Sequence, residues 1–547
     1  MEQTDLVLGL DFGTDSVRAL VVDTRDGREL STGVHFYPRW QKGMYCDPAK
    51  SQFRQHPLDF LEAMEASIRS ALKPLLPRTI SAIKAIGIDT TGSTPAPVNQ
   101  EGTPLALLPE FIDDPDAMFI LWKDHTAQSE ANEINARAHS GKINYTDYSG
   151  GQYSPEWFWS KILHVIRKNK LVKEHAFSWV EHCDWIPALL TGVNNALKIK
   201  RGRCAAGHKA MWHERFDGWP QQDFLCGLDP ALADLRQRLY ADTIEADKEI
   251  GRLSVEWAEK LGLPAGIVVS AGCLDAHAGA VGAHIQPYTL VKVTGTSTCD
   301  MVVVPYEKHK DHLVKGICGQ VNGSILPGML GLEAGQSAFG DVYQWFIHLL
   351  SYPYRELEGI ENKEIIEKLI DSLNQKASLL PVAVNDMVAL DWINGRRTPD
   401  VALDLKAAIM GMHLGTDAPA IFKALVEATC FGSRAIVERL EEENIPLQSV
   451  MAIGGISKKS SFVMQTLSNV LKKPIHVVKS DQACALGAAI LAATAAGIFS
   501  SVTEAQKKMA SPVDRIYIPE EAKVAVYEQL YIHYSRLGKF IQDLKVV

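Results

Sequence analysis

At 547 residues the chain is too long for one hydrophobic core, so two large domains with room for a deep cleft are expected. Hydrophobic residues at 46% and charged residues at 22% exclude extensive disorder, and a formal net charge of −9 lacks the basic excess of a general nucleic-acid binder. Nine scattered cysteines without a CxxC pair read as reduced thiols, and MEQTDLVLGL has acids where a signal peptide has lysine or arginine, so a cytoplasmic protein with small-molecule partners and no membrane partner is expected.

Residues 6–10 and 17–22 have the aliphatic, β-branched content of buried strands. The turn between them carries Asp11, Gly13, Thr14, Asp15 and Ser16 at its tip. Backbone N–H groups and hydroxyls there can donate to phosphate oxygens. A carboxylate among them repels phosphate unless a divalent cation sits between, which makes Asp11 a candidate Mg²⁺ handle. An ordinary polar hairpin accounts for this stretch equally well. GRELSTGVHFYP continues as a third strand, with Gly27 as its turn and Pro38 as its stop. Residues 57–76 have helical spacing at Leu61, Met64, Ile68, Leu72 and Leu75. AIKAIGIDTTGSTPAP reads as a buried strand ending at Asp89 and opening into a loop, the position where α/β proteins bind ligands.

Residues 119–126 read as another apolar strand, with a helix pattern after it through Ala138, and the aromatic stretch 145–159 is explained by helix packing alone. The region 190–265 is weakly patterned and insertion-like, apart from KIKRGRCAAGHKAMWHER. In GIVVSAGCLDAHAGAVGAH an apolar strand enters a loop at Gly272 and a small-residue helix follows Asp275, whose plain alternative is an N-cap. Cys273, Asp275 and His277 make a weak metal set without a fourth ligand, and His208 and His213 are spaced poorly for sharing a metal. LVKVTGTSTCDMVVV then repeats the layout of the opening hairpin, with Gly295, Thr296 and Ser297 at its turn.

GICGQVNGSILPG reads as a hairpin turning at Asn322 and Gly323, residues 333–350 as a helix, and residues 418–443 as a long amphipathic helix. The strand 450–453 meets Gly454 and Gly455, which leave backbone open to a flat ring or a phosphate. Ser480 and Asp481 are N-cap candidates for the uncharged stretch 483–500, whose alanine and glycine content suits a tightly buried helix better than a membrane span.

Taken in order, DFGTDS, GCLDAHAGAVGA, GTSTCD and GGISKKS resemble the FGGY carbohydrate kinases over nearly the whole chain. The resemblance implies an α/β fold of two ribonuclease-H-like domains of the actin/hexokinase superfamily flanking a deep cleft, divided here as 1–286 and 287–547. It implies ATP and Mg²⁺, with Asp275 as catalytic base and Asp11 and Asp275 at the metal. Gly13, Thr14, Asp15, Ser16, Gly295, Thr296 and Ser297 are then expected around the phosphates, and Gly454, Gly455 and Ser457 near the adenosine. YPRWQKGMYCDPAKSQFRQHP, LWKDHTA, RGRCAAGHKAMWHE, VKGICGQ, GLEAGQSAFGD and WINGRRTP are similar to the branch that phosphorylates L-ribulose in arabinose use. That branch implies Ser93, Thr94, Trp122, Asp124, Lys209, Asp275 and Glu333 at the sugar.

Gly92 and Ser93 stand where the glycerol kinases place an arginine and glutamate pair, which disfavours glycerol. SPEWFWSKILHV retains Lys161 of the family signature without a tryptophan just after it. The alternatives are a kinase of another ketopentose or pentitol and, in a different class, an actin- or chaperone-like ATPase switch. The sequence is compatible with a homo-oligomer and does not argue for one.

Overall fold

Strand β1 (Leu6–Phe12) is buried at every position, as expected of a strand covered on both faces. The structure, a computed structural model, describes residues 5–239, 241–358 and 363–544. β1 forms an antiparallel meander with β2 (Ser16–Asp23) and β3 (Glu29–Phe36). β4 (Ile83–Thr90) lies parallel beside β1, and β6 (Val268–Ser270) lies parallel beside β4. β5 (Glu249–Arg252) closes that edge antiparallel to β6, and β7 (Cys273–Leu274) runs beside the end of β4.

A second sheet contains β8 (Thr289–Thr294), β9 (Thr298–Pro305), β10 (Gly319–Asn322), β11 (Met329–Ala334), β12 (Ser449–Ile453), β13 (Ile475–Val478) and β14 (Val513–Tyr517). Its order β11-β9-β8-β12-β13-β14 reproduces β3-β2-β1-β4-β6-β5 in neighbours and in direction, with β10 added outside β11. The expected duplication is therefore present, within the expected α/β class.

The helices used below are α1 (Pro57–Leu72), α2 (Phe158–Lys168), α3 (Arg203–Lys209), α4 (Asp275–Gly282), α5 (Gly340–Leu350), α6 (Ala418–Glu442) and α7 (Ala483–Ala495). α4 and α7 lie in an apolar layer that also holds Val7 and Leu20 of the first sheet and Val291 and Met301 of the second. Contact there is at backbone distance. A Cβ on Gly487 would stand 1.7 Å from the Ala278 carbonyl oxygen, one on Gly9 1.8 Å from that of Ala485, and one on Gly87 1.9 Å from that of Ala488. The small residues of 483–495 are thus explained by packing, and no described helix is long and apolar enough to cross a membrane.

Several expected elements differ. Of 119–126 only Phe119–Ile120 is strand, because Leu121 N–H bonds Phe53 O and the chain then turns at Asp124. Glu333 lies on β11, paired with β9 and β10, and the helix begins only at Gly340. The β10–β11 connection spans residues 323–328 rather than a two-residue turn. Part of the weakly patterned region 190–265 supplies β5, an edge strand too short and too exposed to carry an apolar signal.

Candidate active site

A cleft of about 740 Å³ is lined by Thr14 and Trp122, by Lys209 at the end of α3, by Asp275 at the head of α4, and by Thr296 and Glu333 from the second sheet. Both glycine hairpins reach it. In the first, Gly13 N–H bonds Ser16 O at 2.9 Å, and Trp122 Nε1 donates to Thr14 Oγ1 at 3.1 Å, tying the turn to the cleft wall. In the second, Gly295 N–H bonds Ser297 O at 3.0 Å, leaving Gly295 and Thr296 exposed. The amides of Phe339 and Asp341 at the start of α5 are spent on the Thr296 carbonyl, which holds this turn in place.

Three carboxylates gather where β1, β4 and α4 meet. Sheet register sets Asp11 opposite Arg18 on one side, 2.9 Å from its Nη1, and beside Asp89 on the other. Asp89 is fully buried, and neither of its carboxylate oxygens has a hydrogen-bond donor. Burial, then the charges of Asp11 and Asp275, push it well above the usual carboxylate range. Burial first and Asp11 second push Asp275 up to about 7. The N-cap of α4 is Leu274, so Asp275 does not serve as the cap; its Oδ1 accepts from Ala276 N–H at 2.7 Å.

Oxygen ligands that destabilise one another's charge are the donor set of a hard divalent cation, and the orphaned Asp89 oxygens show an acid cluster built for a positive partner. The residues present therefore fit Mg²⁺. Asp89 received no role from the sequence; the available signal was an acid ending the strand that neighbours β1.

Lys209 Nζ lies 2.6 Å from Glu333 Oε1, both nearly buried. Burial pushes Glu333 up, but the Lys209 ammonium prevails and holds its carboxyl at about 2. Farther along the wall, Arg397 of WINGRRTP lies 3.2 Å from Glu156 Oε1, which His125 Nε2 also reaches at 2.9 Å. This link joins segments from the two halves of the chain.

The structure does not bring Ser93, Thr94 or Asp124 into the cleft. The Ser93 hydroxyl donates to Glu181 Oε1 and Thr94 N–H to Glu181 Oε2 at 2.7 Å, with both residues fully buried. Asp124 accepts from Phe53 N–H at 2.7 Å, from Thr126 N–H at 3.1 Å, from the Thr126 hydroxyl at 2.6 Å and from Arg54, which fills its acceptor sites. Asp15 is exposed at the hairpin tip, accepting from the buried Ser16 hydroxyl at 3.1 Å.

Gly454 has φ +93°, and a Cβ there would stand 2.5 Å from the Thr294 carbonyl oxygen, so the second hairpin itself requires this glycine. Gly455 faces open space. The Ser457 hydroxyl is spent on Gly454 O at 2.7 Å, so this residue shapes the turn through local bonds.

The family models described as the N-terminal and C-terminal domains of the FGGY family of carbohydrate kinases match residues 6–282 and 290–496. A ribulokinase of Vibrio parahaemolyticus is 49% identical over 545 residues, 98% of this chain and 96% of its own. One of Halalkalibacterium halodurans is 36% identical, covering 98% and 95%. Among solved structures, a xylulose kinase of Rhodospirillum rubrum aligns with TM-score 0.78 at 19% identity, covering 98% of this chain and 99% of that one. A gluconate kinase of Lactobacillus acidophilus aligns with TM-score 0.77 at 18% identity, covering 98% of each. These two likenesses are of fold.

Proposed function

The chain belongs to the FGGY family of carbohydrate kinases, and from that premise we propose that it is a ribulokinase, transferring the γ-phosphoryl group of ATP to the 5-hydroxyl of L-ribulose. The observation that carries this reading is a half-buried carboxyl, Asp275, at the head of a helix facing a cleft that also holds two glycine hairpins and the Lys209–Glu333 pair. Phosphoryl transfer needs an aligned hydroxyl, an acceptor for its proton and compensation for spreading negative charge.

Asp275 takes the proton of the acceptor hydroxyl. Thr14, Thr296 and Ser297 present N–H and hydroxyl donors to the phosphates, with Gly13, Asp15 and Ser16 shaping the first tip and Gly295 the second, the two glycine amides being held by their own turns. Asp11, Asp89 and Asp275 would hold Mg²⁺, which when bound would offset the negative charge of the phosphates. Lys209 and Glu333 orient the polyhydroxylated chain, and Trp122 fixes Thr14. Gly455, beside Gly454 and Ser457, leaves room for the adenosine. Ser93, Thr94 and Asp124 act from behind the wall. The division at 286/287 assigns one glycine hairpin and one sheet to each domain, and a cytoplasmic location accords with nine thiols and no disulfide.

Coupled ADP release measured with L-ribulose, xylulose, pentitols and glycerol tests the assignment. The highest kcat/KM is expected with L-ribulose; turnover with glycerol or xylulose while ribulose stays inert overturns the substrate. ATP turnover that needs no sugar and survives Asp275→Asn overturns the kinase reading in favour of a switch.

A further inference from the structure

A set of buried polar atoms in the cleft wall takes no part in phosphoryl transfer and lacks partners. Glu333 Oε1 holds the Lys209 ammonium, but Oε2 has no donor. His208 Nδ1 stands 3.4 Å from that Oε2 and His277 Nε2 stands 3.8 Å from it. Neither makes a hydrogen bond, and both nitrogens are orphaned. The three residues belong to α3, α4 and β11, and their ligating atoms lie within 4.8 Å of one another.

The tautomer of His208 follows from its other side. Ser324 Oγ donates to Val321 O at 3.1 Å, so at 3.0 Å it accepts from His208 Nε2–H. His208 Nδ1 is then a bare lone pair, facing the bare lone pairs of Glu333 Oε2. Two acceptors at this distance repel unless a donor lies between them. His277 has neither ring nitrogen engaged and can present an N–H from Nε2. Burial drives the His208 imidazole toward the neutral form. Two acceptors and an available N–H around one point describe the surroundings of a hydroxyl group, which donates one hydrogen bond and accepts others. A divalent cation would also suit bare acceptors, but the Lys209 ammonium already neutralises this carboxylate and opposes a second positive charge.

We propose that His208 Nδ1, His277 Nε2 and Glu333 Oε2 form a subsite for one hydroxyl group of the sugar acceptor, making His277 a specificity residue. The proposal rests on the sugar-kinase reading above. His277 and Asp275 are two residues apart on α4, about 200° around the helix, so the captured hydroxyl is not the one that is phosphorylated. A site that hydrogen-bonds a hydroxyl rejects the analogue lacking it, because its buried polar atoms are then left unpaired.

The test is a cycle between protein and substrate: wild type, His277→Ala and His277→Gln, each assayed with L-ribulose and with ketopentoses lacking one non-reacting hydroxyl. Wild type is expected to discriminate strongly against one deoxy analogue. His277→Ala should raise KM for the intact sugar roughly tenfold or more, hold kcat and the KM for ATP within about threefold, and treat that analogue and the intact sugar nearly alike. His277→Gln should restore part of the discrimination. Unchanged discrimination in His277→Ala overturns the proposal, as does Zn²⁺ binding by calorimetry at micromolar concentration that this variant abolishes, which would make the trio a metal site. If wild type prefers another polyol, the ribulose assignment fails by itself and the same cycle is read on that polyol.

Discussion

Asp275 shows how much of a reactive group is set by its address. Half-buried and next to Asp11, it is pushed up to about 7 from an ordinary 3.8. In the ligand-free enzyme it is mostly protonated below that pH and unable to take a proton. kcat/KM for the sugar should therefore fall about tenfold per unit as pH drops below 7 and level off above about 8. A base of ordinary carboxylate pKa would instead leave the profile flat down to pH 5. The same shift has a stability consequence of fixed sign. Between about pH 4 and 7 the folded state keeps a proton that the unfolded chain releases, so stability present at low pH is lost across that window and the loss is complete above about 7. Asp275→Asn should raise the melting temperature of the ligand-free protein at pH 8, by up to about 4 kcal/mol equivalent, and leave it nearly unchanged at pH 4, while lowering turnover by roughly 10²–10⁴-fold. Equal melting shifts at both pH values would refute the burial argument.

Asp275 was legible because an acid between a strand and a small-residue helix carries a pattern. Asp89 was not, since its meaning lies in the parallel register of β1 and β4. Ser93 and Asp124 are the converse: each stands in a polar segment visible in the sequence, which does not show that Glu181 and Arg54 engage their side chains.

Between elements, the two glycine hairpins share a shape and differ in charge. Val293 precedes Gly295 as Asp11 precedes Gly13, so the first hairpin has a carboxylate where the second has an apolar side chain. Under the second, the buried Lys292 ammonium reaches Asp300 at 2.9 Å. Gly454 and Gly455 separate in the same manner. Gly454→Ala forces a methyl onto the Thr294 carbonyl and should destabilise folding. Gly455→Ala meets open space and should leave stability unchanged or raised by about 0.5–1 kcal/mol, yet raise the KM for ATP; an unaltered KM would remove Gly455 from the nucleotide site. The cleft wall behind both depends on α2, whose Lys161 Nζ donates to the carbonyls of Ser93 at 2.8 Å, Leu121 at 2.9 Å and Ile120 at 3.2 Å. Lys161→Met strands three buried acceptors, at about 1–3 kcal/mol each, and urea denaturation should show a loss of at least one such increment. A loss below 0.5 kcal/mol would show that water replaces the ammonium.

At the scale of the whole molecule, the duplicated sheets share one apolar layer with α4 and α7, and the turns of both hairpins line the same cleft. Part of this arrangement was legible: two hairpins of one layout implied a repeat, and the charge-free alanine stretch implied a tightly buried helix. Sequence alone could not tell that the alanine helix packs on β1, β4 and α4, because the close approaches are made by three glycines, at 9, 87 and 487 respectively, far apart in the chain and unremarkable singly. Their cost is testable. Gly487→Val places a branched side chain where a single Cβ already stands 1.7 Å from a carbonyl oxygen, and close-packed backbone leaves nowhere for it to go. The variant should lose several kcal/mol or fail to accumulate as folded protein. Gly87→Ala, facing Ala488 O at 1.9 Å, should fold with a lowered melting temperature. Because the first sheet rests on α7, and α7 on α4, which meets strands of both sheets, unfolding of Gly87→Ala should stay a single transition by near-ultraviolet circular dichroism and by calorimetry. Two separated transitions would mean that the helix layer belongs to one half alone and that the cleft geometry is not shared between them.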